Sequence, residues 1–184
     1  MLRGNRELWL AAFAILFITG MYLIVVIFTR EIPPAGELFG HGMGIVGFIF
    51  MLMTETLYSL RKRSRSVRWG KLSSWLQLHI FTGIVGPYMV LLHSSWKFNG
   101  IAGITTLFTI IIVVSGFTGR YIFTRIPRTL DGMEIEGTLS QEALKQARRL
   151  LALWHTIHIP IGMVLFTSAF AHICGALYYA TLLR

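Results

Sequence analysis

The sequence predicts an all-α polytopic membrane protein, a helical bundle with five transmembrane helices. Three observations carry that. Of 184 residues, 54% are hydrophobic and 14% are charged, and the mean hydropathy is +0.64. The apolar residues fall into five runs, each able to supply the roughly 20 residues that cross a hydrocarbon core. The charges lie in blocks between those runs, a pattern that a water-soluble amphipathic helix does not show. The whole chain, 1–184, reads as one membrane domain.

The first span, about 8–28, follows Arg3 and Arg6. Its apolar run is too long for a signal peptide, and no small-residue cleavage site follows it. Pro33 and Pro34 end the helix and make a short loop. The second span, about 39–60, opens on Gly40-His41-Gly42-Met43-Gly44, small residues that let helices approach closely. It carries one acid, Glu55, towards its far end. The third span covers about 72–94 and the fourth about 101–119. The longest connection then leads to good helix formers from Ser140 to Arg149, with Thr138 or Ser140 as N-cap. That helix is expected to run straight into the fifth span, about 150–183, with a kink or a restart at Pro160.

The net charge is +9. Nucleic-acid binding is excluded as its cause, because the basic residues flank hydrophobic spans and membrane topology accounts for them. With the N-terminus in the cytoplasm, all of the 17 Lys and Arg except Arg30, Lys97 and Arg184 fall on the inner side. The expected orientation is therefore N-in, C-out. Trp9, Trp75, Trp96, Tyr121, Tyr178 and Tyr179 stand at span ends, as interfacial belts require. The expected location is a bacterial inner (cytoplasmic) membrane.

Four of the six histidines form two matched pairs. His79 and His93 lie in the third span, His158 and His172 in the fifth, each pair 14 residues apart. Fourteen residues make nearly four helical turns, so both members of a pair share a face, about 40° and roughly 21 Å apart. The two spans run in the same direction, and the histidines enter them at matching depths. His79 then pairs with His158 towards the inside, and His93 with His172 towards the outside. Two imidazoles facing each other at each level suit two stacked haems in a four-helix core. Gly83, Gly86 and Gly162 offer small surfaces where a ring passes. Ligands this far apart do not suit a single zinc or copper ion. The one cysteine, Cys174, excludes a thiolate cluster, and no Cys-x-x-Cys-His occurs, so the haems are expected to be noncovalent haem b. Cys174 itself reads as ordinary packing.

This two-helix arrangement with thirteen residues between histidines resembles dihaem cytochromes b. With the pairs on the third and fifth spans, it is most similar to the ferric reductase-like transmembrane family, which includes the membrane core of the NADPH oxidases. The resemblance covers the second to fifth spans. It implies that His79, His93, His158 and His172 are axial ligands to the two irons. The chain departs from that family in having five spans where six are usual, and in lacking C-terminal flavin and nicotinamide domains. The electron donor is therefore expected to be a separate protein or a quinol.

Several residues stand beside this pattern. Arg120, at the end of the fourth span, is the leading partner for an inner haem propionate, with Arg125 and Arg128 behind it. Positive-inside topology and anionic lipid account for these arginines equally well. His155 meets a propionate or lines an inner pocket, or is simply interfacial. His41 helps form a quinone site, contacts an outer propionate, or is a polar helix end. Glu55 pairs with a loop arginine, or passes protons to a quinone. Trp96 and Lys97 are nearest to the outer haem. The expected function is a b-type dihaem subunit that carries electrons across the bilayer within a redox complex. Quinone and flavin, iron–sulfur or cytochrome c type subunits are its expected partners. The alternatives are a stand-alone reductase of metal ions or oxygen at the outer face, and a haem-free membrane anchor.

Overall fold

The computed structural model describes residues 5–63, 71–124, 126 and 141–182. They form five helices: α1 (Arg6–Thr29), α2 (Leu38–Arg63), α3 (Leu72–His93), α4 (Gly100–Thr124) and α5 (Gln141–Leu182). No strand occurs among the described residues. All five helices are long and apolar enough to cross a membrane, and the chain is an integral membrane protein by that measure. Thr138, Ser140, Arg125 and Arg128 lie outside the described residues.

The helix ends follow local chemistry. Arg30 closes α1 in the left-handed conformation (φ 56°), and Pro33 and Pro34 follow. α4 runs on past the predicted boundary at 119, so Arg120 lies within its last turns. The predicted merging of the Gln141–Arg149 stretch with the fifth span is seen: α5 is one helix of 42 residues. It does not restart at Pro160, which lies inside it. A proline removes one N–H from the ladder, and the long helix on either side tolerates that loss. At about 1.5 Å per residue, α5 spans roughly 63 Å, about twice a hydrocarbon core.

α3 is the central helix. It packs on α1, α2 and α4, while α5 packs on α4. Val85 and Met89 of α3 meet Ala11 of α1, and Phe50 of α2 and Phe81 pack around them. Thr82, 2% exposed, accepts a hydrogen bond from Thr54 Oγ1 (2.7 Å) and donates to Leu78 O. Tyr88 Oη lies 2.5 Å from Thr19 Oγ1 of α1. In lipid such polar contacts between helices add to van der Waals packing where no hydrophobic force acts. Large apolar side chains such as Trp9, Phe13, Leu16 and Phe28 are exposed on α1, as expected where the solvent is hydrocarbon.

The tightest seam joins α2 and α3, which run antiparallel. A Cβ on Gly47 would stand 2.9 Å from Gly86 O, and a Cβ on Gly86 would stand 2.9 Å from Gly47 O. The two backbones therefore touch, and neither position has room for a side chain. At one end of the bundle, Ser95 Oγ donates to Pro33 O (2.6 Å), tying the α3–α4 turn to the α1–α2 loop. Ser95 and Trp96 both take positive φ there, 49° and 60°.

Gly86→Val should force α2 and α3 apart and cost about 1–3 kcal/mol, the usual penalty of overpacking. Gly20→Val, at a position with nothing within 4 Å, should leave stability unchanged. Thermal unfolding of the two purified variants in detergent separates these outcomes.

Candidate functional site

The four histidines predicted as ligands are placed by two helix pairs. On α3, His79 Nδ1 lies 2.8 Å from Thr54 O, and His93 Nδ1 lies 2.9 Å from Gly40 O, both acceptors being α2 backbone. A carbonyl can only accept, so in each imidazole Nδ1 donates its hydrogen and Nε2 keeps a lone pair. Gly44, one turn beyond Gly40, makes room for the His93 ring: a Cβ there would stand 2.8 Å from its Cγ. The Gly-rich opening of α2 thus supplies one acceptor and one clearance.

On α5, His158 Nδ1 lies 2.9 Å from Ser115 Oγ of α4. Trp154 stacks on the His158 ring, with centroids 4.5 Å apart and planes at 29°. Its Nε1 donates to Ser115 O (2.8 Å). The indole lies directly over Gly119, where any Cβ would strike it. Ser115, Gly119 and Trp154 therefore set where His158 stands. His172 has no hydrogen-bond partner among the described residues.

His158 lies within electrostatic reach of His79, and His172 within reach of His93. Between the levels, Phe48 of α2 and Phe166 of α5 meet with ring centroids 6.3 Å apart. Among the described residues no group of three or more His, Cys, Asp or Glu is gathered for one ion; the donors come in twos. Nitrogen donors with the other ring nitrogen held by an outer group are the usual condition of metal-bound histidine. The residues present therefore fit two bis-histidine haems, with His79 and His158 at one level and His93 and His172 at the other.

Other predicted site residues stand elsewhere than their spacing suggested. Gly83 and Gly86 face α2, against Thr54 and Gly47, so their small size serves the α2–α3 seam. Gly162 faces across to α2: a Cβ there would stand 3.8 Å from Glu55 Oε2 and 3.9 Å from Ile112 Cδ1. Arg120, expected at a propionate, instead pairs with Glu7 of α1 (2.6 Å) and also donates to Asn5 Oδ1. The spacing fixed the height of Arg120 but not its partner, and a buried acid at the start of α1 claims it. His155 Nδ1 turns to Leu151 O (2.9 Å), and its ring meets Trp154 edge-on at 4.7 Å. His41 lies beside His93, ring centroids 6.5 Å apart. Trp96 and Cys174 are exposed.

Sequence reasoning missed Ser115, Trp154 and Glu7. Ser115 did leave a signal, a hydroxyl ending the apolar run Ile110–Val114. The acceptors on Thr54 and Gly40 left none, because they are backbone atoms. No protein-family model, curated protein or solved structure matches this chain.

Two expectations follow from the asymmetry of these supports. Ser115→Ala should weaken retention of a group ligated by His158 about 10–100-fold, whereas Thr54→Ala keeps the carbonyl that holds His79 and should not; dilution of detergent-solubilised protein, followed by its haem absorbance, compares them. Glu7→Gln leaves the Arg120 guanidinium unpaired at a largely buried position and should cost about 3–5 kcal/mol, and replacing both residues with leucine should restore much of the melting temperature.

Proposed function

We propose that this chain is a b-type dihaem membrane protein that carries electrons across a bilayer as a subunit of a redox complex. The observation that carries the reading is the donor geometry. Three of four histidines have Nδ1 engaged by a neighbouring helix, and His158 lies within electrostatic reach of His79, as His172 does of His93. Packing alone does not require the same nitrogen to be engaged on two different helices. When bound, haem iron supplies a one-electron Fe(III)/Fe(II) couple.

The chain's own residues provide ligation, spacing and insulation. His79 and His158 hold the level nearer Arg120, and His93 and His172 hold the level nearer Trp96. The Phe48–Phe166 pair lies between the two levels. The two levels are separated by about 21 Å along the helix axis, and bound haems there would supply two redox centres within the apolar interior. In this reading the His79–His158 level lies towards the cytoplasm, which the positive-inside bias supports, and a bacterial inner membrane is the proposed location. The sequence resemblance to the ferric reductase-like family rests on these same four histidines and leaves the substrate open. A flavin or iron–sulfur protein, or the quinone pool, supplies or removes electrons at the membrane faces.

The purified chain should show b-type bands in a reduced-minus-oxidised spectrum and two haems per polypeptide by extraction. His79→Ala or His158→Ala should remove one haem and spare the other. A chain with no b-type bands, or with one haem, would sink the reading, and the first of these would leave a haem-free anchor.

A further inference from the structure

Glu55 is the one acid in the described part of α2, and the site as described does not use it. It is exposed on α2 and turned to α5: its Oε2 lies 3.8 Å from where a Cβ on Gly162 would stand. Gly162 is one turn beyond His158, and Thr54, the neighbour of Glu55, holds His79. The carboxylate therefore belongs to the His79–His158 level. No described cation pairs with it. An ionisable side chain at this depth is costly in lipid and marks function by default.

The surroundings of the two levels are unequal in charge. At the His79–His158 level, Arg120 is neutralised by Glu7, and His155, turned to Leu151 O, lies within electrostatic reach of His158. Arg61 stands nearly two turns further along α2 and has its own partner. At the His93–His172 level the added histidine is His41, so each level has one such base and the acid is what separates them. Glu31 and Glu37 at that end are exposed in the α1–α2 connection, beside Arg30 and across from Lys97, where water and salt screen them. The Phe48–Phe166 pair lies between the levels. In a low-dielectric interior a fixed negative charge acts strongly on a neighbouring centre and weakly on one some 21 Å away.

We propose that Glu55 lowers the reduction potential of the His79–His158 level, and that this carboxylate directs electrons from that level to the His93–His172 level. The proposal rests on the dihaem reading. Adding one electron beside a fixed carboxylate is opposed by their repulsion, so the reduced form is disfavoured at that level alone. The electron then moves down to the level without the acid, and no bond is made or broken.

The experiment is a redox titration of the purified, haem-loaded full chain. In the wild type, the haem that His79→Ala removes should be the one of lower potential. Glu55→Gln should raise that midpoint by a tenfold shift in the reduction equilibrium, about 59 mV for one electron, and leave the other midpoint in place. Glu55→Asp, which keeps the charge, should hold both midpoints near the wild type. Haem stoichiometry reports whether each variant folds, and if Glu55→Gln loses haem, Glu55→Ala carries the same test. Unmoved midpoints in a two-haem protein, equal shifts at both levels, or a higher potential at the His79 level would overturn the proposal alone. A chain without b-type bands overturns the dihaem reading and this proposal with it.

Discussion

The contact between α2 and α3 is the constraint on which the rest depends. Hydrophobic burial does not drive helices together in lipid, so close backbone approach and interhelical hydrogen bonds must do so. Gly47 and Gly86 give that approach, each carbonyl lying where the other residue would have a side chain. Once the backbones touch, α2 carbonyls come within reach of α3 imidazoles above and below the crossing. Thr54 O meets His79 and Gly40 O meets His93. A carbonyl normally spends its acceptor capacity within its own helix, but it has two lone pairs and can take a second donor. Gly44, in the first turns of α2, lets the His93 ring lie directly against the backbone, while Gly40 leaves room for the Pro34 backbone. The seam therefore orients two donor groups with parts that are mostly backbone.

The second pair of helices solves the same problem with side chains. Ser115 reaches His158 while Trp154 covers it, and Gly119 makes space for the indole. Trp154 also bonds back to Ser115 O, so the group that covers the imidazole is fixed by the residue that engages it. The two pairs meet through α3 and α4, and through side chains of α2 and α5 such as Phe48 and Phe166. The result is one bundle with two histidine levels separated by an aromatic layer. Its charges are placed by level: an ion pair at one end of the bundle, an added histidine near each pair, and one acid at the His79–His158 level alone.

Much of this was legible in the sequence because it depends on period and count. Hydropathy runs located the five helices within a few residues, since span length is set by the bilayer. The fourteen-residue step placed each pair of histidines on one helical face, and matched depths linked His79 with His158 and His93 with His172. What spacing cannot show is rotation about the helix axis. Gly83 and Gly86 were expected beside a bound ring and instead face α2. Arg120 was at the expected height but turned to Glu7, whose acid looked like an ordinary first-turn residue. Pro160 suggested a break that a helix of this length absorbs. Carbonyl acceptors were out of reach altogether, because every residue has one and the sequence does not mark those that bond twice.

The antiparallel pairing of neighbours has a consequence for how the protein is made. Three of the four histidines are oriented inside a hairpin of consecutive helices: α2–α3 prepares His79 and His93, and α4–α5 prepares His158. A chain emerging from the ribosome completes the first hairpin with both of its imidazoles already aligned, long before the second exists. The histidines of α5 join those of α3 only when α5, made after the other four helices, docks. Biogenesis thus delays the completion of both levels until that docking, and a polypeptide stopped after α4 carries the two oriented imidazoles of α3 and neither of their α5 counterparts.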